Sequence, residues 1–258
     1  MVDYSILYPA IESRRSFLTF RQEGISESET DALVDFLSEL EAPVPDIDWN
    51  FDTLPYLEMV KLCTKEPGVK APNYLVLRAE RKNFSLQNCG YLGELAVLYL
   101  TARGIATAWQ GTAKIQAGND YQGSLPFVTC IAYGYSDEPF RTADSPAQRK
   151  PYDKVCYNRI PEYTPIFEAA RLTPSSFNRQ PWAFVSDDRQ RLHLFRKKGL
   201  LENPVITFDQ CVDCGAALAH MELAAKHEGF TTAFQRLKPE PSFKRGLVYQ
   251  ISMEAVKA

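Results

Sequence analysis

The sequence has no long hydrophobic run and no excess of basic charge. Its longest apolar stretch, Leu95–Leu100 (LAVLYL), is far shorter than the roughly 20 residues of a membrane-spanning helix. The N-terminus, MVDYSILYPAIESRRS, lacks the basic segment and apolar core of an export signal. The 29 basic residues are scattered among 32 acidic ones, so they predict no basic face for nucleic acid or an anionic membrane. We therefore expect a cytoplasmic protein that binds neither nucleic acid nor membranes.

Cysteine and histidine are also scarce. Six cysteines in 258 residues give no dense disulfide framework, and only Cys211 and Cys214 form a close pair. A zinc site would need a second pair or suitably spaced histidines, and the three histidines show no such spacing, so we expect no metal. A redox dithiol stays open, because a helix N-terminus lowers the pKa of a thiol. Ordinary buried thiols are the simpler interpretation.

One segment of the chain is repeated 125 residues later. Residues Asn88–Gln110 (NCGYLGELAVLYLTARGIATAWQ) align without a gap with Asp213–Gln235 (DCGAALAHMELAAKHEGFTTAFQ). Seven pairs are identical: Cys89/Cys214, Gly90/Gly215, Leu98/Leu223, Gly104/Gly229, Thr107/Thr232, Ala108/Ala233 and Gln110/Gln235. Leu and Ala at helical spacing, followed by Gly, predict a helix with a left-handed C-terminal glycine in each copy. Any two such helices are alike, but the identity continues beyond the glycine, which indicates a duplicated unit.

The rest of the pattern predicts helices grouped around a mainly antiparallel central sheet, which is the α+β class. Helices are predicted at PAIESRRSF, at TPIFEAARL, and at ISESETDALVDFLSEL with a capping box of Ser26 and Glu29. Strands are predicted at NYLVLRA, PFVTCIAYGY, WAFVSD, RLHLFRK and KRGLVYQISME. The polar, proline-rich segment Ser136–Tyr163 is interpreted as a linker. We therefore expect a first half, residues 1–150, and a second half, residues 151–258, in one compact unit.

The loop PSSFNRQPW, Pro174–Trp182, concentrates hydrogen-bonding side chains between two prolines. The prolines restrict the backbone, so we expect a stiff loop. Its hydroxyl and carboxamide groups suit the edge of a flat heterocycle, and Pro174 and Phe177 offer apolar surface to a ring. The alternative is a loop that satisfies only its own backbone and the next helix.

This loop and two other motifs resemble the nitroreductase family of FMN enzymes. PSSFNRQPW is similar to that family's P-S-x-x-N-x-Q-P-W signature. IESRRSFLTF, Ile11–Phe20, is similar to its N-terminal R-R-S element, and GIATAWQGT to the segment that leads into its flavin N5 loop. The Arg149–Lys150 pair resembles its C-terminal basic pair, which contacts the phosphate. The resemblance covers most of the chain and implies a nitroreductase-like fold.

The resemblance also implies how the two halves are used. Family members are usually homodimers, and each FMN site combines R-R-S from one subunit with P-S-x-x-N from the other. If the halves of this chain replace the subunits, we expect a monomeric pseudo-dimer with one FMN. The reciprocal site is expected to be lost, because aligning Trp49 with Trp182 places Ala42–Phe51 (APVPDIDWNF) opposite the loop without its Ser, Asn or Gln.

Each motif residue receives a role toward FMN from the resemblance. The phosphate would be held by guanidinium, ammonium and hydroxyl groups, those of Arg14, Ser16, Arg149 and Lys150. Arg15 would lie against the pyrimidine side or the ribityl chain. Backbone N–H groups near N5 and O4 would come from Gln110, Gly111 and Thr112. The ring would be lined by Pro174, Ser175, Ser176 and Asn178, while Gln180 and Trp182 would support the loop.

The implied reaction is hydride transfer from NADH or NADPH, through FMN, to a nitroaromatic, quinone or similar small oxidant, without a catalytic side chain. One position departs from the family. Leu18 stands where a basic residue commonly stabilises charge near flavin N1 and O2, and Lys65 or Lys70 would have to substitute. Two other functions therefore stay open. One is an FMN-binding protein for storage, sensing or regulation, and the other is a flavin-free interaction protein.

Overall fold

The computed structural model describes residues 4–116, 125–157, 160–187, 189–199 and 203–257. Within these residues the α-helices, in chain order, are α1 Leu7–Ser13, α2 Glu27–Ser38, α3 Tyr56–Leu62, α4 Ser85–Ala102, α5 Tyr152–Val155, α6 Thr164–Arg171 and α7 Pro204–His227. The strands are β1 Trp49–Pro55, β2 Cys63–Lys65, β3 Asn73–Ala79, β4 Ala106–Trp109, β5 Lys114–Ile115, β6 Phe127–Gly134, β7 Cys156–Tyr157, β8 Trp182–Ser186, β9 Arg191–Lys197, β10 Phe230–Gln235 and β11 Leu247–Lys257.

Two main sheets have the same strand order. The first sheet runs β1-β3-β6-β4, and every neighbouring pair is antiparallel. The second runs β8-β9-β11-β10, again antiparallel, with β7 added in parallel beside β8. Each sheet has one long helix inserted before its last two strands, α4 in the first and α7 in the second.

The two long helices form the centre of the molecule. Helix α4 packs on the first sheet, α7 packs on the second, and the two helices pack on each other. Residues 87–101 of α4 and 213–225 of α7 are all buried, as expected for helices enclosed on every side. The α+β class is confirmed, but the prediction of one central sheet flanked by helices is wrong in its layering. Two sheets lie outside, because each long helix has enough apolar surface to cover one sheet and one helix.

Glycine allows α4 and α7 to approach to backbone contact. A Cβ atom on Gly90 would lie 2.0 Å from the carbonyl oxygen of Val212, and one on Gly215 would lie 2.0 Å from that of Gln87. These distances leave no room for any side chain. The two glycines are an identical pair of the sequence repeat, so each copy contributes one side of the crossing.

Most local predictions are confirmed. The side chain of Ser26 accepts a hydrogen bond from the backbone N–H of Glu29, and the Glu29 carboxylate accepts one from the N–H of Ser26. Gly104 and Gly229, which follow α4 and α7, have φ of 73° and 78°. Strands β3 and β9 coincide with the predicted runs NYLVLRA and RLHLFRK.

The segment Ser136–Tyr163 does more than link two halves. It contains α5 and β7, and β7 joins the second sheet. The backbone N–H of Arg141 donates to the carbonyl of Ser13 at 2.9 Å, which holds the segment against the end of α1. Among the described residues, no helix is both long enough and apolar enough to cross a membrane.

We predict that Gly90→Ala and Gly215→Ala each lower the free energy of unfolding by at least about 1–3 kcal/mol, because the new methyl group forces the helices apart. Urea denaturation measures the loss. Gly68→Ala is the control, since Gly68 is exposed and its Cβ would meet no atom nearer than 3.7 Å. A wild-type unfolding midpoint for Gly90→Ala would contradict the backbone crossing.

Candidate functional site

Two adjoining cavities form one groove between the helices and the loop Pro174–Trp182. The first, of about 270 Å³, is called the apolar cavity and is lined by Ser16, Trp109, Gln110, Gly111, Thr112, Thr129, Pro174, Ser175, Ser176, Phe177, Phe208, Asp209, Val212, Asp213 and Ala216. The second, of about 640 Å³, is called the arginine cavity and is lined by Arg14, Arg15, Ser16, Arg141, Ser145, Pro146, Gln148, Arg149, Pro174, Ser175 and Asn178. Ser16, Pro174 and Ser175 line both, so the two cavities adjoin.

The arginine cavity holds positive charge that the protein only partly neutralises. Arg14 is 3% exposed, and its Nε lies 3.6 Å from a Glu94 oxygen. Among the described residues, neither the Nε of Arg14 nor the Nε of Arg141 has a hydrogen-bond partner. Burial, together with the charges of Arg14 and Arg141, lowers the pKa of Arg149 to about 9. An anion with several oxygens would supply the missing acceptors and relieve this repulsion.

The R-R-S segment is held in place by the linker. The Nη2 of Arg15 lies 2.9 Å from an oxygen of Glu138. The other oxygen of Glu138 accepts hydrogen bonds from the backbone N–H groups of Leu18 and Thr19, at 3.1 and 2.8 Å. The Thr19 hydroxyl donates to the same oxygen at 2.7 Å, and this bond, followed by the backbone bonds, lowers the pKa of the Glu138 carboxyl. Phe17 donates its N–H to the carbonyl of Thr107 at 3.0 Å, so Ser16 lies beside β4, where it lines both cavities.

The loop Pro174–Trp182 has a strained backbone and braces itself. Phe177, Asn178 and Gln180 have φ of 53°, 54° and 50°, which costs non-glycine residues about 1–3 kcal/mol each. The hydroxyl of Ser175 accepts from the N–H of Gln180 at 2.8 Å, and the Gln180 amide donates to Asn178 Oδ1 at 3.1 Å. Trp182 is fully buried on β8. These contacts agree with the supporting role predicted for Gln180 and Trp182, and they use much of the loop's hydrogen-bonding capacity.

The basic pair Arg149–Lys150 is divided by the structure. Arg149 lines the arginine cavity and donates to the carbonyl of Leu172 at 2.8 Å and to Asn178 Oδ1 at 3.3 Å. The Lys150 ammonium donates instead to the carbonyls of Arg179 and Gln180, at 2.5 and 3.2 Å. Lys150 therefore lies outside both cavities and braces the loop.

The apolar cavity is narrow at Gly111, which has no side chain to fill it. A Cβ atom on Gly111 would project to 4.0 Å from both Asp209 Oδ1 and Ser176 Oγ. The amide of Gln110 is used internally, accepting from the N–H of Val69 at 3.0 Å and donating to the carbonyl of Ala108 at 3.2 Å. Gly111 thus faces the loop and α7 across a gap that suits a flat molecule.

Several lining residues were missed by the sequence analysis. Asp209 and Asp213 come from α7, and Arg141 comes from the linker. Nothing in the sequence distinguishes Arg141 from the other residues of its polar segment. Asp213 could have been found, because it aligns with Asn88 in the repeat and so places a carboxyl where the other copy has an amide.

Asp213 is a buried carboxyl with an unused oxygen. It is 6% exposed, and its Oδ1 accepts a hydrogen bond from the backbone N–H of Ser176 at 2.9 Å. Its Oδ2 has no hydrogen-bond partner among the described residues. Burial raises the pKa of Asp213 to about 8.

A buried network connects the two cavities. Glu94 on α4 is fully buried, and its Oε2 accepts from the indole N–H of Trp109, which lines the apolar cavity, at 2.9 Å. Its Oε1 lies 2.9 Å from His220 Nε2 and 3.6 Å from Arg14 Nε. His220 Nδ1 lies 3.0 Å from the carbonyl of Ala169. Glu94 therefore orients Arg14 and Trp109 together.

The basic residues considered as substitutes at position 18 do not reach the apolar cavity. Leu18 is 71% exposed and lines neither cavity. Lys65 and Lys70 are absent from both linings, and the Lys70 ammonium lies 4.7 Å from the ring centre of Tyr56. Among the described residues, the ionisable side chains that line the apolar cavity are the two acids Asp209 and Asp213, and neither can supply a positive charge.

The close cysteine pair flanks residues of the groove but does not line it. Neither Cys211 nor Cys214 lines the apolar or the arginine cavity, and burial raises the pKa of the Cys214 thiol well above its ordinary value. Among the described residues, no group of three or more His, Cys, Asp or Glu side chains is arranged to hold a metal ion.

Comparisons with known proteins give a family match over most of the chain. The family model described as "Putative TM nitroreductase" matches residues 6–225. A solved "putative nitroreductase" from Thermotoga maritima MSB8 is similar at a TM-score of 0.64 and 23% identity, covering 98% of this chain and 95% of that chain. A nitroreductase with bound FMN from Desulfitobacterium hafniense DCB-2 is similar at a TM-score of 0.44 and 16% identity, covering 62% of this chain and 100% of that chain. No curated protein matches the sequence. At such identities the T. maritima structure shows the fold alone.

We predict that Glu94→Ala lowers the free energy of unfolding by about 3–5 kcal/mol, because it leaves Arg14, Trp109 and His220 buried without their shared acceptor. Thermal and urea denaturation measure the loss. Glu58→Ala, at an exposed position of α3, is the control and should change stability by less than about 0.5 kcal/mol. Equal stability of the two variants would contradict the role of Glu94 as the shared acceptor of Arg14, Trp109 and His220.

We predict that inorganic phosphate stabilises the ligand-free protein by binding among the arginines. Stabilisation should reach about 2.7 kcal/mol at 100 times the dissociation constant, measured as a rise in melting temperature. Sodium chloride at equal ionic strength controls for screening. Arg141→Ala should lose most of the rise, and Arg81→Ala, at an exposed position outside both cavities, should keep it. The same rise in both variants would exclude an anion site here.

Proposed function

This chain belongs to the "Putative TM nitroreductase" family, and from that premise we propose that it is an FMN-dependent oxidoreductase. The donor would be NADH or NADPH, and the acceptor a nitroaromatic, quinone or similar small oxidant. When bound, FMN would supply the hydride chemistry, passing two electrons between these partners. The protein would contribute binding, orientation and exclusion of water.

One observation carries this proposal: the arginine cavity adjoins the apolar cavity and shares three lining residues with it. A phosphate in the arginine cavity would find the Nε donors of Arg14 and Arg141, which have no hydrogen-bond partner among the described residues, and the charge of Arg149 beside them. A flat ring in the adjoining cavity would lie between Gly111 and the loop. FMN has these two parts, joined by a flexible polyol chain, so the donor set fits it. Seven of the twelve residues that the motifs predicted for FMN line the apolar cavity: Ser16, Gln110, Gly111, Thr112, Pro174, Ser175 and Ser176.

The chain's own residues would fix where the ligand lies. Ser16 and Ser175 line both cavities, so they would contact the middle of the molecule. The Glu94 carboxylate would hold Arg14 toward the phosphate and Trp109 toward the ring. Because the loop is held by Lys150 and Gln180, little ordering would remain to be done on binding.

We further propose that the chain is an internal pseudo-dimer of two halves, residues 1–150 and 151–258, and works as a monomer. The repeated strand order and the paired glycines of α4 and α7 support this. The composite groove also supports it, since the R-R-S element comes from the first half and the P-S-x-x-N loop from the second.

A second candidate function is FMN binding without efficient reduction by NAD(P)H. Reduction adds electrons to the ring, and a nearby cation stabilises the added charge. The apolar cavity is lined by two acids instead, and exposed Leu18 stands where the family commonly has a basic residue. In that case the protein would store FMN or respond to it.

We expect the purified protein to bind added FMN and to show a bound-flavin absorption spectrum. Anaerobic NADH and NADPH are then added in turn. Bleaching by either nucleotide supports the oxidoreductase. Bleaching by dithionite alone supports the FMN-binding protein, and a protein that ignores FMN would contradict both functions.

We predict that Arg149→Ala weakens FMN binding about 10- to 100-fold, as expected for loss of a hydrogen bond to a charged group. Quenching of flavin fluorescence measures the dissociation constant. Riboflavin, which lacks the phosphate, is the matched probe and should bind both proteins equally. Equal weakening for riboflavin would mean that the variant damages the loop and that Arg149 does not hold the phosphate.

A further inference from the structure

The unused oxygen of Asp213 is the least explained polar group of the apolar cavity. Asp213 lies on the third turn of α7, and its side chain is almost wholly buried. The N–H of Ser176 fixes one oxygen at 2.9 Å, so the carboxyl is held in one orientation. A buried polar atom without a partner costs about 1–3 kcal/mol, which a structure retains when something else supplies the partner.

The corresponding residue in the first sequence copy has no such unused atom. Asn88 Nδ2 donates to the carbonyl of Val44 at 2.8 Å, and Asn88 Oδ1 accepts from the N–H of Val44 at 3.2 Å. The nitrogen and the oxygen of the Asn88 amide therefore both have partners in Val44, within the segment Ala42–Phe51. Asp213, which lines the apolar cavity, repeats half of this arrangement: one oxygen holds a loop N–H, and the other has no hydrogen-bond partner among the described residues.

The surroundings of Asp213 favour its neutral form. Burial is the main cause that raises its pKa to about 8, and the charge of Asp209, one turn earlier on α7, adds to it. From the loop, the hydrogen bonds of the Ser176 backbone and side chain and the charge of Arg179 act in the opposite direction and are weaker than burial. Lys114 on β5 acts on Asp209. The neutral form of Asp213 is therefore favoured at pH 7.

We propose that Asp213 selects the ligand of the apolar cavity by donating a hydrogen bond from its neutral carboxyl to a carbonyl oxygen or an unprotonated ring nitrogen. A neutral carboxyl has one O–H donor, and this one has no acceptor among the described residues. The flavin edge offers several such acceptors, so the inference rests on the proposed function. Ionised Asp213 would instead repel acceptors and weaken binding.

The test measures dissociation constants of FMN and riboflavin for the ligand-free protein between pH 6.5 and 9.5. Wild-type binding of riboflavin should be constant below about pH 8 and weaken about tenfold per pH unit above it, since only the neutral form binds. Asp213→Asn should remove this dependence for riboflavin, because an amide donates at every pH, whereas FMN also reports the titration of its phosphate and of Arg149. Asp209→Asn is the matched control. It should shift the transition to lower pH, because it removes the charge that raises the pKa of Asp213.

A second measurement needs no variant at position 213. Binding of riboflavin, which lacks the phosphate that Arg149 would hold, should take up close to one proton at pH 9 and almost none at pH 6.5, as read by calorimetry in buffers of different ionisation enthalpy. Riboflavin binding without proton uptake, or a wild-type affinity for riboflavin that is independent of pH, would overturn the role of Asp213 and leave the proposed function intact. Failure of FMN to bind at any pH would overturn the proposed function and this inference with it.

Discussion

The groove depends on the close approach of α4 and α7 at Gly90 and Gly215. Because the helix backbones touch there, each helix can cover one sheet and still bury its opposite face on the other helix. The approach also brings the early turns of α7 beside the end of β4, and these two elements form the walls of the apolar cavity. A wider separation would fill the centre with side chains and move Asp213 away from Gly111.

Several features of the groove lower the stability of the ligand-free protein, and they have a common pattern. Three residues of the loop hold positive φ, several arginines repel one another, and a carboxyl is buried with one oxygen unused. Each cost would fall when a ligand supplies a counter-charge, an acceptor or a surface. Such strain persists where the surrounding structure fixes it, as Lys150, Glu138 and Glu94 do here. The rigid surroundings thus prepare the groove for a ligand, at some expense of stability.

Sequence patterns predicted the elements better than their arrangement. Periodicity gave β3, β9, the capping box at Ser26 and both helix-ending glycines, because these depend on neighbouring residues alone. The layering was missed, since whether helices lie inside or outside two sheets depends on which apolar faces meet. Ser16, Gly111 and Ser175, which the motifs singled out, line the groove, whereas the Lys150 ammonium donates to loop carbonyls. Arg141 was missed because only the folded linker brings it near Arg14.

The difference between Asn88 and Asp213 changes what each long helix offers to the space beside it, in a fold with two similar sheets. The Asn88 amide is satisfied by the backbone of Val44, within the segment Ala42–Phe51. In the second half, the carboxyl holds Ser176 but cannot satisfy itself, so the space beside it stays available. An amide offers two N–H donors, whereas a carboxyl offers one O–H donor when it is neutral and none when it is ionised. Burial, by keeping the carboxyl neutral, therefore determines which ligands the open half accepts.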